Sequence, residues 1–117
     1  MTIRILKPED VVIACIEAPL SDDDLLDLRD TLIESVSTSR TRGVVVDMTG
    51  VDVVDFFTSR ALRDLTQANR TQGAHTVVVG IPPHVSFAMG RLGVSLDDIP
   101  TAADLQEGLA YLDSLDD

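Results

Sequence analysis

A continuous apolar run, Gly43-Val44-Val45-Val46-Asp47-Met48, lies near the middle of this 117-residue chain. Because three valines follow one another without an alternating polar residue, the run predicts a strand that is buried on both faces of a sheet. Residues 75–80, His-Thr-Val-Val-Val-Gly, predict a second strand of the same kind after a helical pattern. Buried strands separated by helices indicate an α/β domain with a largely parallel sheet.

The residues before this run predict a hairpin and a helix. Ile3–Leu6 and residues 11–17 are rich in β-branched residues and are separated by Lys7-Pro8-Glu9-Asp10, a pattern typical of two antiparallel strands. Ser21 is a favourable N-cap and Asp24 completes a capping box, so a helix is predicted to begin there. Its apolar residues recur every three or four positions, at Leu25, Leu28, Leu32 and Val36.

Three further helices and one further strand are predicted in the rest of the chain. The second helix follows Asp55; we expect Phe57, Ala61, Leu62, Leu65 and Ala68 on its inner face, and Arg60, Arg63, Asn69 and Arg70 outside that stripe. A third helix begins at Pro82 or Pro83, residues 94–99 predict the last strand, and Thr101 with Asp104 predicts the capping box of a fourth helix. The order β-β-α-β-α-β-α-β-α predicts one domain, residues 1–117, with a mixed, mostly parallel sheet, an opening hairpin and four helices.

The composition restricts the class of function. The chain has 20 acidic and 9 basic residues, and therefore a net charge of −11. Nucleic acid and anionic membrane would repel such a chain, so neither is expected as a partner. Cys15 is the only cysteine, and no apolar run approaches the roughly 20 residues that span a bilayer. The chain also opens without the apolar segment of a secretory signal, so we expect a reduced, cytoplasmic protein.

The carboxylates between the third strand and the second helix are the first candidates for chemistry. Ligands of such sheets bind at the C-terminal ends of the strands, where this chain has Asp47, Asp52 and Asp55. Asp52 and Asp55 could serve a small enzyme as an acid/base or metal pair; alternatively, Asp47 and Asp55 bond backbone amides in the turn and at the helix start. No nucleophile-elbow, P-loop or dinucleotide motif occurs, and His75 and His84 lack partners at ligand spacing, so no metal or cofactor is predicted.

The pattern resembles a STAS domain, the domain shared by sulphate transporters and anti-sigma-factor antagonists. The resemblance lies in the strand at residues 43–48, the Thr49-Gly50-Val51-Asp52-Val53-Val54-Asp55 turn, the helix after it, and residues 73–83. Within that group the chain is most similar to the small single-domain scaffold of the bacterial stressosome. Ile5-Leu6-Lys7 and residues 92–99 and 104–109 support this narrower resemblance, which covers nearly the whole chain.

The resemblance implies regulation without catalysis. Proteins of this kind bind a serine/threonine switch kinase and assemble, as homo- or hetero-oligomers, with sensor proteins that end in a similar domain. In the general stress response the kinase phosphorylates a hydroxyl at the start of the helix after the third strand, and the complex then releases a regulator. A phosphate adds about −1.5 to −2 charges, enough to change a docking surface.

The chain departs from the family at the phosphorylated position. The acceptor serine normally follows the loop aspartate directly or one residue later, where this chain has Phe56 and Phe57. Either the switch has moved to Thr58 or Ser59, with Arg60 or Arg63 near enough to pair with the phosphate, or the protein is a scaffold that is never phosphorylated there. The second alternative needs fewer assumptions. By resemblance, the partner-binding residues are expected to be Asp52, Asp55, Phe56, Phe57, Arg60 and Arg63. Phe56 and Phe57 are either core anchors or an exposed apolar contact, and for Phe57 we expect the core.

A receiver-like domain that accepts a phosphoryl group on Asp47 is an alternative of another class. A receiver domain is typically recognised by paired acidic residues after its first strand and a lysine after its fifth strand. The first strand here ends at Lys7, and the chain has no lysine after it. The missing lysine counts strongly against this alternative. The basic face of Arg60, Arg63 and Arg70 has two interpretations as well, a solvated helix surface or a contact for an acidic partner.

Overall fold

Residues 3–115 are described by the computed structural model. The two termini of the expected domain 1–117, residues 1, 2, 116 and 117, lie outside the described residues. The strands are β1 (Ile3–Leu6), β2 (Val11–Ile16), β3 (Gly43–Asp47), β4 (His75–Val79) and β5 (Thr101–Ala102). The helices are α1 (Asp22–Thr38), α2 (Phe56–Thr71), α3 (Pro83–Leu92) and α4 (Leu105–Ser114). The predicted order of strands and helices is confirmed.

The five strands lie in the order β1-β2-β3-β4-β5. β1 pairs antiparallel with β2, whereas the three remaining pairs are parallel. The opening hairpin and the mostly parallel sheet are therefore as predicted. Because the parallel strands all point the same way, the loops that follow β2, β3 and β4 meet at one edge of the sheet.

Helices cover the two faces of the sheet unequally. Alternate residues of β2, β3 and β4, such as Val12, Val44 and Val78, join one core with apolar residues of α1, α2 and α3. Val45, Val77 and Val79 face the other way and pack against Leu112 of α4. The two cores explain why β3 and β4 are apolar at successive positions rather than alternating.

The last strand lies further along the chain than predicted. Residues 94–99 are not a strand, because their backbone is held by local turns: the Ile99 amide donates to the carbonyl of Leu96 at 2.9 Å. Val94, Leu96 and Ile99 are still buried in the main core. β4 pairs instead with Thr101–Ala102. Alternating apolar residues therefore indicated burial here, but not sheet pairing.

Two other local predictions are also wrong. Thr101 belongs to β5 and does not cap a helix; α4 is capped by Asp104, whose carboxylate accepts a hydrogen bond from the Glu107 amide at 2.9 Å. Asn69 does not lie outside the apolar stripe of α2 but is fully buried. Its side-chain amide donates to the hydroxyl of Thr76 on β4 at 3.0 Å.

Candidate partner-binding site at the start of the second helix

The loop of residues 48–55 leads from the end of β3 into α2. The Val51 amide donates to the carbonyl of Met48 at 3.0 Å, which folds the loop back on itself. Val51 and Val54 are buried, whereas Asp52 and Val53 are exposed between them. Two apolar anchors thus present the intervening side chains at the edge of the sheet.

Asp47 is engaged in a turn at the end of β3. Its Oδ1 atom accepts hydrogen bonds from the Thr49 amide at 3.0 Å and from the Thr49 hydroxyl at 2.6 Å. Asp47 therefore bonds a backbone amide in a turn, which was the predicted alternative to a chemical role for this residue. Within residues 3–115, no three His, Cys, Asp or Glu side chains form a group that could hold a metal ion.

Asp55 caps α2, as the backbone-bonding interpretation predicted. Its Oδ1 atom accepts hydrogen bonds from the Thr58 amide at 2.8 Å and from the Thr58 hydroxyl at 2.9 Å. The Thr58 amide has the largest effect and lowers the pKa of Asp55; partial burial raises this pKa, but the Thr58 hydroxyl lowers it further. Asp55 is therefore held as a carboxylate at the positive end of the helix.

The two hydroxyl residues that follow differ in accessibility. Thr58 is partly exposed. Ser59 is only 4% exposed, and its hydroxyl donates to the carbonyl of Phe56 at 3.0 Å. A protein kinase has to reach the oxygen that it modifies. Of the two expected acceptors, the structure therefore leaves only Thr58 open to a kinase, and its hydroxyl is bonded to Asp55.

Three apolar side chains face solvent around the helix start. Val53 and Phe56 are each 65% exposed, and Phe57 is 37% exposed. The expectation that Phe57 belongs to the core is therefore wrong; Ala61, Leu62 and Leu65 form the buried stripe instead. Exposed apolar residues that lie close together often mark an interaction site, whereas isolated ones do not.

The arginines of α2 do not converge on Thr58. With about 100° of rotation per residue, Arg60 and Arg63 lie about 200° and 140° around the helix from Thr58. Arg63 instead holds residues 95–98: its Nε atom lies 2.7 Å from Asp98 Oδ2, and its Nη2 atom donates to the Ser95 carbonyl at 3.4 Å. The hydrogen bond from Arg63 lowers the pKa of Asp98. Arg60 is exposed. The arrangement offers a phosphate on Thr58 no arginine on its own face of the helix.

A cleft of about 330 Å³ opens between the start of α1, the 48–55 loop and the first turns of α2. Apolar side chains form its inner walls, among them Leu25, Met48 and Leu62. Asp22, Asp52 and Asp55 stand at its rim, and Thr58 also lines it. No local sequence pattern signals this cleft, because its walls come from three separate segments of the chain.

A second cavity, of about 560 Å³, is a more open depression between α3, residues 93–97 and β5. Its lining residues include Ser86, Gly90 and Gly93, and Asp97 is the one charged group among them. No helix within residues 3–115 combines the length and the apolar character that a bilayer crossing demands.

Comparison with known proteins places this geometry in a family. A model of the STAS domain matches residues 2–108. The RsbT co-antagonist protein RsbRA of Bacillus subtilis is 30% identical over 82 residues, which make up 70% of this chain and 30% of that protein. The chain thus spans less than a third of the length of this curated relative.

Two solved structures share both the fold and part of the sequence. RsbS of Moorella thermoacetica, in a form with one serine-to-glutamate substitution, has a TM-score of 0.81 at 29% identity; the match covers 98% of this chain and 97% of that one. A chain of the stressosome, described as a signal integration and transduction hub, has a TM-score of 0.71 at 26% identity, with 96% and 97% coverage. These relatives confirm the likeness to stressosome proteins and the expectation of a regulatory, non-enzymatic domain. Matched along most of its length and folded as these chains are, the protein belongs to the STAS domain family.

Proposed function

We propose that the protein is a stressosome-type scaffold and anti-sigma-factor antagonist of the cytoplasm. It binds a serine/threonine switch kinase and assembles with sensor proteins that carry a similar domain. One observation carries the proposal: Phe56, at the position where the family has its switch, presents most of its side chain to solvent. Exposing an aromatic ring costs free energy unless a partner covers it, so this position favours binding over switching.

The two hydroxyl groups at the start of α2 support a scaffold that is not phosphorylated there, which we call a fixed scaffold. Ser59 is buried, and the Thr58 hydroxyl is bonded to the carboxylate that caps the helix. A phosphate on Thr58 would break that bond and place two negative groups side by side. A phosphate on this helix start would therefore have to be stabilised by the helix N-terminus alone.

A pull-down with the switch kinases of the host tests the binding surface. We expect the wild-type chain to retain a kinase and Phe56→Ala to weaken binding about ten-fold or more, as the loss of a central aromatic anchor does. Leu6→Ala is the control, because Leu6 is also a large exposed apolar side chain, 45% exposed, but lies on β1. Retention of neither a kinase nor a sensor STAS protein by the wild-type chain would contradict the proposal.

Intact-mass spectrometry after incubation with the kinase, magnesium and ATP tests whether the scaffold is phosphorylated. We expect no added phosphate while the kinase is still retained. One added phosphate that disappears in Thr58→Val would show a displaced switch, and it would refute the fixed scaffold without refuting kinase binding. Ser59→Ala serves as the control, since that hydroxyl is buried.

A further inference from the structure

The cleft beside the helix start is preformed. Five of its apolar lining residues are already packed into the core and expose less than a tenth of their surface: Ile16, Leu25, Met48, Val51 and Leu62. A volume of about 330 Å³ lies at the small end of ligand pockets, which range from about 300 to 1,000 Å³. The cleft therefore suits one large side chain rather than a whole helix.

The rim of the cleft is acidic. Asp22, in the first turn of α1, and Asp55, at the N-cap of α2, both favour the positive ends of their helices. No helix end accounts for the presence of Asp52. Its side chain is exposed and has no hydrogen bond or ion pair within residues 3–115. The lining residues include no Lys, Arg or His. An apolar side chain that brings a cation with it would satisfy both the cleft and its rim.

α3 carries a surface of that chemistry. Phe87 is 68% exposed and Leu92 is 58% exposed. The guanidinium of Arg91 lies 5.8 Å from the centre of the Phe87 ring, a cation–π contact that holds the two side chains together. α3 contains no acidic residue, although the chain has 20 of them. We call Phe87, Arg91 and Leu92 the α3 knob.

We propose that the α3 knob of one copy docks in the cleft of a second copy, with Phe87 entering the cleft and Arg91 facing Asp22 and Asp52 at its rim. The inference deepens the proposed scaffold function, on which it rests, by naming a contact through which copies assemble. At 0.15 M salt the Debye length is about 8 Å, so salt screens most of the repulsion between distant charges of two chains of net charge −11.

The knob and the cleft are different surfaces and share no residue. Two copies that each dock a knob in the other's cleft form a closed two-fold dimer. Copies that dock through one knob only keep a free knob or a free cleft, and such contacts extend from copy to copy until the rotation between copies closes a ring. The size of the assembly therefore distinguishes reciprocal docking from one-sided docking.

Sedimentation velocity of the full chain, at concentrations up to about 1 mM and without any kinase, tests the contact. We expect concentration-dependent association of the wild-type protein. Phe87→Ala, Arg91→Glu and Asp52→Lys should each weaken it about ten-fold or more, because they remove the anchor or place like charges together. Arg40→Glu, the same charge change in the exposed turn between α1 and β3, should leave it unchanged.

Mixing the two charge-reversed proteins is the decisive step. In a mixture of Arg91→Glu and Asp52→Lys chains, position 91 of each chain again faces an opposite charge at position 52 of the other, so association should return in part, although Asp22 and Asp55 keep the rim acidic. Circular dichroism of each variant verifies that the fold is kept. A wild-type chain that stays monomeric, a Phe87→Ala chain that still associates, or a mixture that stays dissociated would each overturn the inference. A monomeric chain that still retains the kinase would overturn this contact alone and leave the proposed kinase binding intact.

Discussion

Asp55 and Thr58 are joined by two hydrogen bonds to one oxygen. The Oδ1 atom of Asp55 accepts both the amide of Thr58, at 2.8 Å, and its hydroxyl, at 2.9 Å. The carboxylate that begins α2 thus also holds the partly exposed hydroxyl of the helix start. Helix stability and the availability of Thr58 are coupled through this single side chain.

Asp55→Ala should destabilise the protein by about 1 kcal/mol, because it leaves an amide at the helix start without its cap. The free energy of unfolding in urea measures the effect. Asp52→Ala is the matched control: it removes a carboxylate from the same loop, but one without a hydrogen bond in the described part of the chain. Equal effects of the two substitutions would contradict the capping role.

The charge of Asp55 should stabilise the protein only above acidic pH. The pKa of Asp55 is lower in the folded chain than in the unfolded chain, so the carboxylate favours folding at neutral pH. This contribution is lost as the pH falls below about 4 and through the folded pKa. Asp55→Asn keeps a capping oxygen but removes the charge. The difference between wild type and Asp55→Asn in urea should therefore favour wild type at neutral pH and shrink toward pH 3; a constant difference would refute the charge effect.

Periodicity and capping chemistry predicted most of this fold because both act locally. Ser21 and Asp24 form the expected capping box at the start of α1, and the valines of β3 are buried on both faces. The same local logic failed at residues 94–99, where burial of Val94, Leu96 and Ile99 is achieved without a strand. Sheet pairing depends on where the neighbouring strand lies, which a local pattern does not contain.

Only the part of the candidate site that depends on local residue types was predicted. Asp47 and Asp55 bond backbone amides as turn and cap residues commonly do, so residue type alone indicated their roles. Phe57 was assigned to the core because its spacing from Ala61 and Leu65 continues the apolar stripe of α2, yet it lies on the exposed side of the helix start. The cleft depends on the packing of α1 against the 48–55 loop, a tertiary contact without a sequence signature.

Gly80 and Gly93 should respond differently to alanine. Both have φ of 74°, where a side chain is strained, at a cost of about 1 kcal/mol. A Cβ atom at Gly93 would meet nothing within 4 Å, whereas one at Gly80 would collide with the Thr49 hydroxyl and lie 3.1 Å from Asp47 Oδ1. Gly80→Ala should therefore cost about 1 to 3 kcal/mol more than Gly93→Ala in urea unfolding. Equal losses of unfolding free energy would show that the turn after β3 moves to accommodate the new methyl group.

A second pair of glycines should respond with opposite signs. A methyl group at Gly90 in α3 would lie in open space, so Gly90→Ala should stabilise the helix by about 0.5 to 1 kcal/mol. A Cβ atom at Gly108 in α4 would lie 2.5 Å from Val79 Cγ1, in the core beneath the sheet. Overpacking there costs about 1 to 3 kcal/mol, more than the helix gains. Thermal unfolding of both variants checks the signs; a stabilised Gly108→Ala would mean that α4 can move away from β4.

Asn69 should tolerate no charge. Its side chain is fully buried, and its Oδ1 atom has no hydrogen-bond partner within residues 3–115. In Asn69→Asp, burial would raise the pKa of the new carboxyl above its unfolded value, so the variant should come closest to wild type near pH 4 and lose stability as the pH rises. At pH 7 we expect a loss of about 3 kcal/mol or more, since an uncompensated charge is buried. Gln67→Glu makes the same change on the exposed face of α2 and should show little of this pH dependence. A pH-independent loss in Asn69→Asp would mean that water reaches the site and that α2 packs less tightly against β4 than the structure shows.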